Sequence, residues 1–127
     1  MTRRVLVIED NPANLELVRY LLQAAGHEVL LARDGNEGIR LARASLPDLI
    51  LSDLQLPGAD GYLVLRTLRL DSATAAIPVV AVTAFSMARD RELVLSAGFN
   101  GYISKPIDPE QFVTSIAAFL QPGPSGS

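Results

Sequence analysis

The stretch Val5-Leu6-Val7-Ile8-Glu9-Asp10-Asn11-Pro12 holds a strand, its polar end and the start of a helix. Val5 to Ile8 is continuously apolar rather than alternating. A strand of that kind is buried on both faces, as in a parallel sheet covered by helices. Asn11 suits an N-cap, and Pro12 suits the first helical position, where a missing N–H costs nothing. Leu15, Val18, Leu22 and Ala25 follow at steps of three, four and three, which draws one apolar stripe along a helix. Gly26 then fits the left-handed position past the helix end.

The same unit recurs along the chain. Apolar runs at Val29 to Ala32, Leu49 to Leu51, Val79 to Val82 and Tyr102-Ile103 alternate with segments of helical length at 35–44, 61–70 and 88–97, the last closed by Gly98. Asp108-Pro109-Glu110-Gln111 opens a final helix, with Gln111 placed to complete a capping box and Phe112, Ile116, Phe119 and Leu120 as its stripe. The helix at 88–97 is weakly patterned, with Leu93, Val94 and Ala97 as a minimal buried stripe. Five strand–helix units predict an α/β, doubly wound, five-stranded parallel sheet with helices on both faces. Residues 1–121 read as one domain. Residues 122–127, Pro-Gly-Pro-Ser-Gly-Ser, cannot bury anything and are expected to be a disordered tail, either a linker or an expression remnant.

Composition narrows the chemistry. The chain has 127 residues, 49% apolar, and a formal charge of −3. It contains no cysteine and one histidine, which removes disulfide scaffolds, thiol nucleophiles, thiolate zinc sites and a His-based metal cluster. His27, just past a helix end, reads as an exposed turn residue. No apolar run approaches the ~20 residues that span a bilayer. A pI near 5.0 argues against direct DNA binding. The expectation is a soluble, cytoplasmic domain.

In an open parallel sheet, ligands bind beyond the C-terminal ends of the strands. Those ends read Glu9-Asp10, Ser52-Asp53, Thr83-Ala84 and Ser104-Lys105-Pro106. Singly, each has a bland explanation: an acid as the next helix's cap, a β-branched strand residue, a solvated lysine. Four strand ends carrying complementary groups do not. Two carboxylates ~4 Å apart cost about 4 kcal/mol at an effective dielectric of ~20, so a cation is expected to resolve the conflict. An all-oxygen donor set fits Mg2+, and a neighbouring lysine and hydroxyl fit a phosphate. Neither a phosphate-binding P-loop nor a usable G-x-G-x-x-G occurs.

These motifs resemble the receiver domain of two-component response regulators over residues 3–120. The matching elements are Glu9-Asp10-Asn11-Pro12, Asp53-Leu54-Gln55-Leu56-Pro57-Gly58-Ala59-Asp60-Gly61, Val82-Thr83-Ala84 and Tyr102-Ile103-Ser104-Lys105-Pro106. With no output domain following, the chain looks most like the stand-alone type or the receivers of hybrid kinases. The resemblance implies a flavodoxin-like (βα)5 fold with strand order 2-1-3-4-5. It implies that Asp53 accepts a phosphoryl group from a phosphohistidine on a histidine kinase or histidine phosphotransfer protein. Asp10, Asp53 and the Gln55 carbonyl would hold Mg2+, with Glu9 on a metal-bound water. Lys105, Thr83 and the Ala84 N–H would bind phosphoryl oxygens. Pro106 would follow a cis peptide bond, and Pro57 and Gly61 would shape the loop after Asp53.

By the same resemblance, Thr83 and Tyr102 would switch the face formed by the fourth helix, fifth strand and fifth helix for a downstream protein effector. The domain would be a monomer or a phosphorylation-dependent dimer that loses its phosphoryl group slowly. For Tyr102, the alternative is a plain core aromatic. Phe85 and Phe99 are either an exposed patch near that face or core. Glu9 stands where receivers often have aspartate, and Leu56 where many have methionine. Two other readings compete. A magnesium-dependent phosphatase or phosphotransferase needs a general acid/base two residues past the nucleophile, and Gln55 cannot serve, so no enzyme is expected. A receiver-like interaction module that is never phosphorylated lacks part of the site, and this chain lacks none.

Overall fold

The computed structural model describes residues 3–84 and 88–120. Five strands alternate with five helices: β1 (Arg4–Ile8), α1 (Pro12–Ala24), β2 (Glu28–Ala32), α2 (Gly35–Ser45), β3 (Leu49–Asp53), α3 (Gly61–Leu70), β4 (Val79–Thr83), α4 (Ala88–Ala97), β5 (Gly101–Ser104) and α5 (Pro109–Leu120). All strands pair in parallel, in the order β2-β1-β3-β4-β5. This is the expected doubly wound topology. The order reverses between β1 and β3, and the ends of those two strands carry Glu9 and Asp53.

Two cores flank the sheet. On one face Val5, Val7, Leu49, Leu51, Val80 and Val82 meet Leu15, Val18 and Leu22 of α1 and Phe112 and Ile116 of α5. On the other, Leu6, Ile8, Ile50, Val79 and Ala81 meet residues of α2, α3 and α4. β3 and β4 are buried throughout, as their unbroken apolar runs require. β2 is an edge strand, so its equally apolar run is only half-buried.

Helix punctuation follows the sequence closely. The Asn11 side chain accepts the Asn14 N–H at 3.0 Å, and Pro12 opens α1. Gly26 and Gly98 adopt φ of 91° and 111°, left-handed conformations that a side chain would resist. Asp34 and Asp60 likewise cap α2 and α3.

Several expectations are corrected. Asp108 accepts the N–H groups of Glu110 and Gln111, but among the described residues the return bond from the Gln111 side chain is not made, so only half a capping box forms. Ala25 falls outside the buried stripe of α1. Only Val94 of α4 is buried, while Leu93 is 56% exposed. His27 is half-buried, with its Nδ1 enclosed and without a hydrogen-bond partner among the described residues. Of the two readings open for Phe99, the core one holds: it is buried, edge-on to Tyr62 with ring centroids 5.7 Å apart. Phe85 and residues 122–127 lie outside the described residues.

Candidate functional site

The sheet's register lines up the four strand ends. Ile8 is level with Ser52, Asp53 with Val82, and Thr83 with Ser104, so the residues just beyond them share one rim. Asp53 and Thr83 are the last residues of their strands, buried to 8% and 2% exposure. Glu9 is buried as well, and Asp10 is exposed. One carboxylate oxygen from each of Glu9, Asp10 and Asp53 lies within 4.8 Å of the others.

Lys105 closes this group. Its Nζ is 2.8 Å from Glu9 Oε1 and 2.8 Å from Asp53 Oδ2. Its backbone N–H donates to the Thr83 carbonyl at 2.8 Å, which ties the β5–α5 connection to the end of β4. The Lys105–Pro106 peptide is cis, as expected. The remaining carboxylate oxygens are held by backbone donors: the Asn11 N–H donates to Glu9 Oε2 at 3.1 Å, and the Gln55 N–H to Asp53 Oδ1 at 3.1 Å.

The loop after Asp53 folds back tightly. The Gly61 N–H donates to the Leu54 carbonyl at 2.9 Å. A Cβ on Gly61 would sit 2.4 Å from the Asp53 carbonyl oxygen and 2.8 Å from Leu54 Cα, both rigid backbone atoms. Glycine is therefore required there by close approach. Pro57 is exposed in the same loop. Ala84 follows β4 and is exposed at the rim.

Electrostatics match this crowding. Burial, the largest influence on Glu9, outweighs its bonds to Lys105 and Asn11, and its pKa is raised above the ordinary 4.5. Burial also opposes the charge on Lys105. Its bonds to Asp53 and Glu9 outweigh that cost, and its pKa is raised above 10.5. Three acids around one ammonium leave excess negative charge, and an all-oxygen donor set of this kind suits a hard divalent cation such as magnesium.

Tyr102 stands apart from the carboxylates. Its half-buried ring packs against the core under α2–α4, with the Arg91 guanidinium carbon 5.9 Å from the ring centroid. Its hydroxyl is enclosed and, among the described residues, has no hydrogen-bond partner. Sequence reasoning placed Lys105 at the rim but missed that it bridges both buried acids. The signal was available, since Lys105 is the sole cation at the four strand ends.

Among the described residues, no helix is long and apolar enough to cross a membrane. The family model for the response regulator receiver domain matches residues 5–117. The polar-differentiation response regulator DivK of Brucella ovis is 44% identical over 120 residues, which cover 94% of this chain and 98% of the relative. The receiver domain of the sensor histidine kinase PA1611 of Pseudomonas aeruginosa, whose structure has a magnesium ion coordinated in the active-site cleft, superposes with a TM-score of 0.86 at 32% identity. That match covers 94% of this chain and 98% of the other. The chemotaxis response regulator CheY4 of Vibrio cholerae superposes with a TM-score of 0.89 at 27% identity, over 94% of this chain and 100% of the other. The chain belongs to the response regulator receiver domain family, whose members are signalling switches rather than turnover enzymes.

Proposed function

We propose that this domain takes one phosphoryl group onto Asp53 from a phosphohistidine on a histidine kinase or phosphotransfer protein. The observation that carries the proposal is the single ammonium, Lys105, bridging Glu9 and Asp53 at 2.8 Å each where three carboxylates converge. In the reaction, an Asp53 oxygen bonds to phosphorus while the phosphorus–nitrogen bond of the donor breaks, its electron pair leaving with the imidazole. Such transfers need positioning and charge stabilisation more than covalent help from the protein.

Each residue then has a task. The Asp10 and Asp53 carboxylates and the Gln55 carbonyl would hold magnesium, and Glu9 would hold a water on it. When bound, the ion supplies positive charge against the phosphoryl oxygens. Lys105 releases Asp53 Oδ2 and pairs with a phosphoryl oxygen. The Thr83 hydroxyl and Ala84 N–H receive another. Pro57, Gly61 and Pro106 keep the loops that present these groups in place. Thr83 moves toward the phosphoryl group and Tyr102 reorients, which remodels the α4–β5–α5 face for a protein effector. The enclosed Tyr102 hydroxyl, without a partner among the described residues, supports that role, because an unsatisfied buried hydroxyl gains on reaching a partner. The Gln55 amide cannot take a proton from an attacking water, so the phosphoryl group leaves Asp53 for water slowly and no turnover follows.

Incubation with magnesium and acetyl phosphate is expected to add about 80 Da, one phosphoryl group. The adduct disappears in Asp53→Asn and when the metal is chelated. An unmodified wild-type chain under these conditions would favour a phosphorylation-independent interaction module.

A further inference from the structure

Helix α4 rests lightly on the sheet. Val94 is its one buried residue, while Leu93 and Leu95 are 56% and 46% exposed. Arg91 precedes Val94 by three positions, so the two side chains share a face of the helix. On that face the Arg91 guanidinium carbon stands 5.9 Å from the centroid of the Tyr102 ring on β5. A guanidinium within about 6 Å of an aromatic ring face is attracted by the ring's quadrupole.

The polar end of Tyr102 adds little to fixing the ring. Its hydroxyl is enclosed and has no hydrogen-bond partner among the described residues. The rotamer is therefore set by the ring itself, which packs on the core shared by α2, α3 and α4 on one side and meets Arg91 on another. A cleft of about 440 Å3 lies beside the pair, lined by both residues and by Ser104, Lys105, Asp108 and Gln111. Space and polar groups thus adjoin a ring that no hydrogen bond of its own holds. The Arg91 charge is also felt at the hydroxyl: burial raises the Tyr102 pKa above 10.0, Asp90 adds to the rise, and Arg91 opposes it.

We propose that Arg91 is a positioning residue for Tyr102, its guanidinium holding the ring in the present rotamer against α4. The proposal rests on the reading of Tyr102 as a switch and names what sets its resting position. Loss of an exposed cation–π contact changes a two-state ratio roughly two- to fivefold, enough to bias a side chain whose hydroxyl is unbound. The contact also links the ring to the helix. Once the ring turns away, Val94 is left as the anchor of that face of α4, so a side-chain movement on β5 loosens the helix.

The test is the χ1 population of Tyr102 in the full chain, read from three-bond couplings to its Cγ, with a chelator and no phosphodonor. Arg91→Met keeps an apolar stem and removes the charge. It should shift the population away from the wild-type rotamer roughly two- to fivefold and speed amide exchange in α4. Arg91→Lys keeps a cation and should return the population toward the wild-type value. In Tyr102→Leu, which has no ring, Arg91→Met should leave α4 exchange unchanged. Should Arg91→Met fail to fold, Arg91→Gln at the same exposed position carries the measurement. Equal populations in wild type and the uncharged variant, or Arg91→Lys behaving like the uncharged variant, would overturn the proposal. Adding magnesium and acetyl phosphate tests the switch separately: a population that depends on Arg91 but ignores modification of Asp53 removes Tyr102 from the switch and leaves its hold by Arg91 standing.

Discussion

The two ends of the sheet treat polar groups in opposite ways. At the N-terminal end, the residues that precede β3 and β5 match the neighbouring strand's backbone groups one to one. Asp48, the residue before β3, donates its N–H to the Arg4 carbonyl at 2.8 Å and accepts the Arg4 N–H on its side chain at 2.8 Å. Asn100, the residue before β5, does the same to Val79: its N–H donates to the Val79 carbonyl at 2.7 Å and its Oδ1 accepts the Val79 N–H at 2.9 Å. Both side chains extend a parallel ladder by one rung. Asn100 Oδ1 also accepts from Arg69, whose guanidinium donates to the carbonyls of Ala75 and Ile77. At the C-terminal end, three carboxylates crowd one ammonium. One end closes its strand ladders with side chains, and the other gathers an excess of negative charge.

The largest effect should come from breaking the satisfied end. Asn100→Ala strands the N–H of fully buried Val79 and removes one acceptor from Arg69, so urea unfolding should show a loss of about 2 kcal/mol. Magnesium affinity and the rate of modification by acetyl phosphate should be unchanged, because nothing at the C-terminal rim has moved. A changed magnesium affinity would show that the two ends are coupled.

The opposite end should respond with the opposite sign. In the metal-free chain, Asp10→Asn removes one of three mutually repelling charges. Asp10 is exposed, so the repulsion is screened toward the water limit and the expected gain is about 1 kcal/mol. The same substitution should weaken magnesium binding at least about tenfold, the lower bound even for an outer-shell partner. A variant that is both less stable and still binds magnesium normally would remove Asp10 from the site.

The end that repels also has a signature in pH. The folded pKa of Glu9 is raised, so between pH 4.5 and that value the folded chain binds more protons than the unfolded one. The Glu9 contribution to stability is therefore present at the acid side of this window and is lost as pH rises through it. Lys105 acts in the same direction at alkaline pH: its contribution holds below 10.5 and falls as pH passes its raised folded value. Urea unfolding with a chelator should show the stability difference between wild type and Glu9→Gln declining from pH 4.5 toward 7. A difference that grows over that range would mean Lys105, not burial, dominates Glu9.

The two ends also differ in how well the sequence reveals them. The rim residues Glu9, Asp10, Asp53, Thr83 and Lys105 were readable because each terminates an apolar run, and a parallel sheet brings such termini together. The strand order and the cis bond before Pro106 followed from the resemblance those residues carry. The Asp48 and Asn100 rungs were not readable. An Asx residue before a strand signals a turn, but its partner depends on which strand lies alongside. α4 misled for another reason. Leu93, Val94 and Leu95 are consecutive, so a helix turns only one toward the core, and Val94 is the one buried. The Arg69 clamp spans three segments that sequence spacing does not relate.

The smallest effect returns to the N-terminal end, at the one described residue other than glycine with positive φ. Leu46 ends α2 at φ 47°, ψ 64°, and its N–H closes the helix onto the Ala42 carbonyl. Its side chain is 53% exposed and absent from both cores, so little burial offsets the left-handed conformation. A Cβ in that region costs roughly 1–2 kcal/mol, and glycine avoids it at the expense of a more flexible unfolded chain. Leu46→Gly should therefore raise stability by about 0.5–1 kcal/mol in urea unfolding, with phosphorylation unaltered. If the variant is instead less stable, Leu46 contributes packing that its exposure conceals, and the matched end of the sheet extends one residue further than its hydrogen bonds reveal.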